Sequence, residues 1–156
     1  MQRWAINIVC IAIVLAVSYD LYRVLNKDSN AVLQRAKEFQ QAEYSHNAEK
    51  IWDMMLPSIR QDSGPKEEYI ANVKAFYASL NDIKADKPTL VTKGDKWAMT
   101  QEDITATFPE PDGVQTDCFR TVWLKSEGVW YWYETDRACT YMPDASEIVH
   151  ITKNLK

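Results

Sequence analysis

The chain has 156 residues, of which 46% are hydrophobic, and its formal net charge is −4. The length fits one domain with a short additional segment, and the apolar fraction is sufficient for a buried core. Residues 1–27 contain the basic residues Arg3, Arg23 and Lys27 and one acid, Asp20. Because this segment is positively charged and the whole chain is negatively charged, the remainder of the chain is acidic. Because binding to phosphate backbones requires Lys and Arg, no nucleic-acid partner is expected.

An uncharged apolar run from Trp4 to Tyr19 predicts a single-pass membrane anchor. A helix rises about 1.5 Å per residue, so this run with the apolar residues up to Leu25 approaches the roughly 30 Å hydrocarbon layer. Arg3 and Arg23 flank the run, where their charged ends can reach the two interfaces. We therefore expect residues 4–25 to contact the lipid bilayer.

The competing interpretation of this run is a cleaved signal peptide. The tripeptide Ala16-Val17-Ser18 resembles a small-x-small cleavage site. The length of the run favours a retained anchor, because it is at the long end for a signal peptide. The predicted domain organisation is therefore an anchor with its juxtamembrane segment in residues 1–27 and a soluble domain in residues 28–156.

The cysteines bear on cellular location. Cys118 and Cys139 lie in the predicted soluble domain and fit one disulfide. A disulfide would place that domain on the extracytoplasmic, periplasmic side of a bacterial inner membrane, whereas the alternative is a pair of buried free thiols. Neither a CxxC motif nor a Cys/His cluster occurs, so no metal site is predicted. The sequence indicates no cofactor.

Three helices are predicted in the first half of the soluble domain. Apolar residues recur at helical spacing across residues 31–44. Asn47 then caps a short second helix that ends before Pro57. Ser63 is the predicted N-cap of a third helix, which reaches about Leu80.

Strands are predicted after these helices. Short strands are expected at residues 89–92, 97–100 and 104–108. A hairpin follows, in which Val114–Leu124 turns through a four-residue loop into Val129–Thr135, so that Trp123 faces Trp130. Residues 144–155 fit either a short helix or a strand. Helices followed by such strands predict an α+β fold, with three helices packed on a curved, mostly antiparallel sheet.

The segment AEKIWDMMLPSIR, followed after a short turn by GPKEEYIANVKAF, carries a family resemblance. A helix ended by proline, then a helix that opens with an acidic pair and an aromatic (Glu67-Glu68-Tyr69), resembles the nuclear transport factor 2-like (NTF2-like), cystatin-related α+β cone. The resemblance covers about residues 31–135. It implies a curved sheet around an interior, in a superfamily that contains isomerases, dehydratases and epoxide hydrolases as well as non-catalytic binding and assembly domains.

Candidate pocket residues follow from this resemblance. Enzymes of the fold place acids and tyrosines inside the cone, which implies Tyr69, Tyr77 and Asp103 as possible pocket residues. His46 and Asp53 are seven residues apart, and a His–Asp pair can act as a base with its orienting group. The same spacing is ordinary for surface groups of a helix. No established catalytic motif occurs, so no catalytic residue is predicted.

The aromatic hairpin is the most informative feature for function. Alternation along the strands places Phe119, Trp123, Trp130 and Trp132 on one face. This face is predicted to bind a partner, because exposed apolar patches and Trp side chains mark interfaces. The alternatives are a sheet whose faces are covered by the chain's own residues, such as 138–156, and an internal ligand pocket.

These observations lead to three functional hypotheses. The first is a membrane-anchored, non-catalytic interaction domain, serving as an accessory or assembly subunit of a membrane protein complex or docking on its own copy. The second is a cone that binds or converts a small apolar ligand taken from the bilayer. The third follows from the resemblance of an anchor followed by such a cone to the inner-membrane assembly factor of type IV secretion systems.

Overall fold

The structure is a computed structural model that describes residues 26–80 and 82–153, together with Ser18 and Leu155. The chain divides into two compact units, Met1–Ala31 and Val32–Lys156. Apart from Ser18, the predicted anchor of residues 4–25 lies outside the described residues. Within the part of the chain that is described, no helix has the length and apolar character needed to cross a membrane. The anchor and the predicted boundary after residue 27 stay predictions.

Five helices occur among the described residues, where the sequence predicted three. They are α1 (residues 26–44), α2 (Ala48–Met54), α3 (Pro57–Asp62), α4 (Lys66–Ala78) and α5 (Ala145–Thr152). The Asn47 cap is confirmed, because its side chain accepts a hydrogen bond from the Lys50 backbone N–H at 3.0 Å. Near the C-terminus, where the sequence fitted either a short helix or a strand, the chain forms helix α5.

Helix α3 was missed because Pro57 was interpreted only as a helix terminator. Proline is also favoured in the first turn of a helix, where its missing N–H costs nothing, and Pro57 occupies that position in α3. The predicted role of Ser63 was wrong for the same reason. Its hydroxyl donates to the carbonyl oxygen of Ile59 at 2.7 Å, so Ser63 ends α3 instead of capping α4.

The sheet is antiparallel and curls into a half-barrel, which confirms the predicted α+β class. Its strands are β1 (Asp82–Ala85), β2 (Thr89–Lys93), β3 (Trp97–Thr107), β4 (Val114–Ser126) and β5 (Val129–Asp136). The order is β1-β3-β4-β5, and β2 also pairs with β3. Strand β3 unites two segments that were predicted as separate strands, and β1 was not predicted.

The hairpin register differs from the prediction by two residues. Ser126 pairs with Val129, so the loop contains only Glu127 and Gly128. Both loop residues have positive φ, 51° and 81°, as a type I′ turn requires. Trp123 consequently pairs with Trp132 instead of Trp130. A shift of two residues preserves the alternation of side chains, and a bulge between Val122 and Trp123 then moves the register by one more residue. Trp123, Trp130 and Trp132 still share one face, as predicted, because all three pack in one core cluster.

The chain's own residues cover both faces of the hairpin. On the concave face, Trp123 and Trp130 are 1% and 4% exposed and belong to a core cluster with Phe39 of α1. On the convex face, Leu124 packs in a second cluster to which Ile151 of α5 contributes. The predicted partner-binding role of Trp123 and Trp130 therefore needs correction, because side chains this deeply buried offer no surface to another molecule.

The free edge of β5 is covered by polar contacts from the helical side. The Leu56 backbone N–H donates to the Trp132 carbonyl oxygen at 2.9 Å. The Arg35 guanidinium donates to the Trp130 carbonyl oxygen at 3.1 Å. Backbone groups that would otherwise offer pairing sites to another strand are thereby satisfied. These contacts also hold α1 and the α2–α3 connection against the sheet.

The predicted cysteine pair is joined. Cys118 of β4 and Cys139, which follows β5, form a disulfide with a Cα–Cα distance of 5.5 Å and a sequence separation of 21. In the observed register Cys118 pairs across the sheet with Asp103, and the turn after Asp136 brings Cys139 back to it. The Asp136 carboxylate stabilises this turn, since it accepts hydrogen bonds from the backbone N–H groups of Thr140 and Tyr141, both at 2.8 Å.

Replacing Cys118 and Cys139 together by Ser is expected to lower the free energy of unfolding by about 3 kcal/mol, because opening a loop of this length restores entropy to the unfolded chain. Urea denaturation of the wild type and the double variant, both without reductant, measures the difference. Dithiothreitol should destabilise the wild type to the level of the variant and leave the variant unchanged. A wild type that is insensitive to the reductant would contradict the structural role of the bond.

A candidate ligand-binding cavity

A cavity of about 410 Å³ lies between the helices and the concave face of the sheet. Helices α1, α2 and α4 form one side, and strands β3, β4 and β5 form the other. Six aromatic side chains contribute to its wall: Phe39, Tyr69, Phe76, Tyr77, Phe119 and Trp132. A smaller adjoining cavity of about 100 Å³ shares Phe76, Tyr77 and Phe119 with it. The volume falls in the range of small-molecule sites, about 300–1,000 Å³.

The local structure explains why these residues meet. Phe39 and Glu43 are four residues apart on α1 and therefore lie on one face of the helix. The same spacing places Tyr69 and Val73 together on α4. On the sheet, alternation directs Glu102 toward the helices. Aromatic side chains from the helices and from the sheet therefore meet at the concave surface and form the wall of the cavity.

Glu43 is the most perturbed acid in the cavity. Burial, reinforced by the negative charge of Glu102, raises the pKa of Glu43 from 4.5 to about 8. The Tyr77 hydroxyl donates to Glu43 Oε1 at 3.3 Å and opposes this rise. A pKa raised toward neutrality in a cavity is characteristic of functional sites.

Glu102 is the second buried acid, with 8% of its surface exposed. Burial raises its pKa from 4.5 to about 7, and a hydrogen bond from the Gln40 amide opposes the rise. Gln40 also donates to the Asp86 carbonyl oxygen at 2.6 Å, which fixes the amide between α1 and the segment after β1. The cavity therefore contains two carboxyl groups whose ionisation is disfavoured by burial.

The tyrosines of α4 supply hydroxyl groups. Burial, followed by the charge of Glu43, raises the pKa of Tyr69 to about 12 and raises that of Tyr77 further. Both hydroxyls consequently remain protonated, and that of Tyr77 donates its proton to Glu43. The His46 ring stacks on Tyr77 with a centroid distance of 5.0 Å and an interplanar angle of 7°, and Trp52 packs against Tyr69 at 5.1 Å. These contacts fix the two phenol rings.

Arg137 is the one basic side chain among the described residues that line the larger cavity. It is exposed, and its guanidinium lies over the Phe119 ring at 6.0 Å from the centroid. Its positive charge opposes the rise in the pKa of Glu43. Arg137 follows β5 directly and precedes Cys139 by two residues, so the disulfide constrains the segment that carries it.

The structure brings together only some of the predicted site residues. Tyr69 and Tyr77 line the cavity, and so do Phe119 and Trp132 of the predicted partner face. Asp103 does not, because strand alternation directs it to the opposite face, where it is exposed. The predicted pocket role of Asp103 was therefore wrong.

The pair considered for acid–base chemistry is not formed. His46 stacks on Tyr77, whereas Asp53 forms an ion pair with the Lys66 ammonium at 3.2 Å. Within the described ranges, no group of three or more His, Cys, Asp and Glu side chains is arranged to hold a metal ion.

Sequence reasoning missed Glu43, Glu102 and Arg137. For Glu43 a signal was available, since it follows Phe39 by four residues and thus lies beside the apolar stripe of α1. For Glu102 the signal was the continuity of β3, which was interpreted as two short strands. Arg137 had no local signal, because its position depends on the turn that the disulfide closes.

Comparison with known structures identifies the fold. A candidate dehydratase of the NTF2-like family from Streptomyces avermitilis matches with a TM-score of 0.53 and 14% identity, over 75% of this chain and 99% of that one. The fold is NTF2-like. Bd1075 of Bdellovibrio bacteriovorus also matches this chain, with a TM-score of 0.53 and 12% identity, over 72% of this chain and 42% of that protein. No family model matches the sequence, and neither does any curated protein.

Proposed function

We propose that the NTF2-like domain binds a small, largely apolar molecule in the concave cavity, with the carboxyl groups of Glu43 and Glu102 recognising its polar end. The observation that carries this proposal is a cavity of about 410 Å³ that combines an aromatic wall with two acids, the half-buried Glu43 and the buried Glu102. Small-molecule sites typically have this composition, in which a few polar groups are placed within an apolar surround.

The cost of the arrangement supports the same conclusion. Burying a carboxyl group beside another is unfavourable, and an apolar side chain at Glu43 would continue the stripe of α1 without that cost. Perturbed acids in a cavity are characteristic of functional sites. We infer that Glu43 serves binding, since burial of its carboxyl makes an unfavourable contribution to folding at neutral pH.

The proposal concerns binding and leaves the chemistry open. A carboxyl with a pKa near neutrality suits proton transfer, and one structural neighbour is a candidate dehydratase, but likeness at 14% identity carries the fold alone. The non-catalytic character of the domain therefore stays a prediction. The hypothesis of an accessory subunit in a membrane complex also stays a prediction, although two tryptophans of the surface on which it relied, Trp123 and Trp130, are buried.

Filling the cavity should abolish binding without unfolding the domain. Val73 of α4 is half-buried and lines the cavity, so Val73→Phe places additional ring atoms in the space for a ligand. The wild type is expected to bind the neutral, apolar dye Prodan (6-propionyl-2-dimethylaminonaphthalene) and to shift its fluorescence to the blue. Val73→Phe should weaken this binding by about tenfold or more. A fluorescence titration measures the effect.

The matched control is Val149→Phe on α5. Val149 is 65% exposed and does not line the cavity, so this variant adds the same ring at the surface and should bind the dye like the wild type. Dye that binds elsewhere on the chain contributes the same signal in both variants, so comparing them removes this contribution. Equal dye binding by both variants, with both folded by circular dichroism, would contradict the proposed site.

A further inference from the structure

The wall of the cavity indicates the charge of its ligand. We propose, resting on the ligand-binding function above, that the ligand is an organic cation such as a substituted ammonium, held between the aromatic rings and the carboxylates of Glu43 and Glu102. The juxtaposition that carries this inference is the meeting of six aromatic side chains with two acids around one space.

The aromatic residues suit a cation better than a neutral ligand. The face of an aromatic ring carries partial negative charge and attracts ammonium groups within about 6 Å of its centroid, best when the site is desolvated. The rings come from both layers, with Phe39, Tyr69 and Tyr77 on the helices and Phe119 and Trp132 on the strands. A bound cation would therefore be surrounded, as in the aromatic sites that recognise quaternary ammonium groups.

The cavity is lined by more acidic than basic groups. Glu43 and Glu102 line it, whereas Arg137 is the one basic group of the described lining. Arg137 is exposed and lies over the Phe119 ring, so water screens its charge. A cation between the acids would return both to the ionised state and convert a costly burial into ion pairing in a low-dielectric site.

The alternatives fit less well. An anionic ligand could approach Arg137 at the exposed rim, but inside the cavity it would meet Glu43 and Glu102. A neutral apolar ligand would fill the space, yet it would not compensate either carboxyl. A positive charge, by contrast, is attracted by the aromatic rings and by the acids together once the acids ionise.

Ligand charge can be read from the pH dependence of binding. A cation prefers ionised Glu43 and Glu102, so its binding should release protons and strengthen as the pH rises from about 6 to about 8. Binding of a ligand that accepts a hydrogen bond from a neutral carboxyl should instead weaken as the pH rises over the same interval. The titratable or charged groups that face Glu43 across the two cavities are Tyr69 and Tyr77 of α4, Glu102 of β3, Asp117 of β4 and Arg137; His46 stacks on Tyr77 from outside.

Three probes of similar shape test the proposal on the full chain. They are phenyltrimethylammonium, its neutral isostere tert-butylbenzene, and the anion 4-tert-butylbenzoate, each titrated against the wild type while Trp fluorescence is recorded. Binding to Val73→Phe gives the background. At about pH 8 we expect the cation to bind at least about tenfold more tightly than the neutral probe. At about pH 6 the cation should bind more weakly than it does at about pH 8.

Two variants remove one charge each with little change of shape. Glu43→Gln and Glu102→Gln should each weaken binding of the cation by about tenfold and reduce its pH dependence, while binding of tert-butylbenzene remains unchanged. Two separate positions keep the test decisive if one variant fails to fold.

The outcomes separate the two proposals. Neutral or anionic probes that bind as tightly as the cation would overturn the charge inference and leave the ligand-binding cavity intact. Cation binding that survives both Gln substitutions would also overturn it. If none of the probes binds above the Val73→Phe background, both the charge inference and the proposed function are contradicted.

Discussion

Trp123→Ala is expected to lower the free energy of unfolding by about 3–5 kcal/mol, the range for removal of a buried Trp. Trp123 is 1% exposed and meets the Phe39 ring edge-on, with a centroid distance of 5.8 Å. Its indole N–H donates to the buried Thr100 hydroxyl at 2.9 Å. The substitution therefore opens a cavity beneath α1 and also leaves a buried hydroxyl without this donor.

Urea denaturation followed by circular dichroism measures the loss, and Trp97→Ala is the matched control. Trp97 is only partly buried, against the convex cluster, so the same change there should cost clearly less. If Trp123→Ala folded as stably as the wild type and affected only association with another protein, the assignment of Trp123 to the core would be wrong and the partner-surface hypothesis would regain its basis.

Glu43→Gln is expected to stabilise the domain at alkaline pH. The pKa of Glu43 rises from 4.5 to about 8 on folding, so between these values the folded state retains a proton that the unfolded state has released. The stability contributed by the neutral carboxyl is fully present below the unfolded value and is lost as the pH rises through the folded one. Glu102, with its pKa raised to about 7, contributes in the same direction.

The free energy of unfolding of the wild type should therefore fall as the pH rises from about 5 to about 9. Each unit of pKa shift corresponds to about 1.4 kcal/mol, so the fall amounts to several kcal/mol. Glu43→Gln should remove a large part of it, because glutamine keeps the shape and cannot ionise. Urea denaturation at several pH values measures the slope.

The control for this prediction is Glu68→Gln. Glu68 is exposed near the start of α4, so its replacement should leave the slope of stability against pH unchanged. Identical slopes for the wild type and Glu43→Gln would mean that Glu43 is not buried as a neutral carboxyl, and the electrostatic account of the cavity would fail.

Local sequence signals predicted the elements that depend on local physics. The Asn47 cap needs only its own side chain and the backbone N–H three residues on, and the stripe of α1 needs only helical spacing. The hairpin was recognised for similar reasons, although its loop length was not. Glu127 adopts positive φ together with Gly128, and a tight turn centred on Glu-Gly lacks the Asn-Gly or Asp-Gly signal that marks most two-residue loops.

The cavity was not predictable in the same way, because it depends on contacts between distant segments. Glu43 and Glu102 are brought together by the packing of α1 on β3, and Arg137 is brought to them by the turn after β5. Burial of the aromatic face likewise required knowledge that α1 covers it while α5 covers the opposite face. A strand pattern with two apolar faces does not specify which segment covers each one.

The most direct test of the cavity as a binding site is a titration of the ¹⁵N-labelled protein with Prodan, observed at the indole N–H resonances. Trp132 lines the cavity, and its indole N–H donates to the Thr135 hydroxyl at 2.9 Å. Trp97 does not line it, and Trp132→Phe assigns the reporting signal. We expect binding in the cavity to produce a saturable shift of the Trp132 resonance while that of Trp97 stays in place. A Trp132 resonance that does not move, or indole signals that all move together, would contradict it.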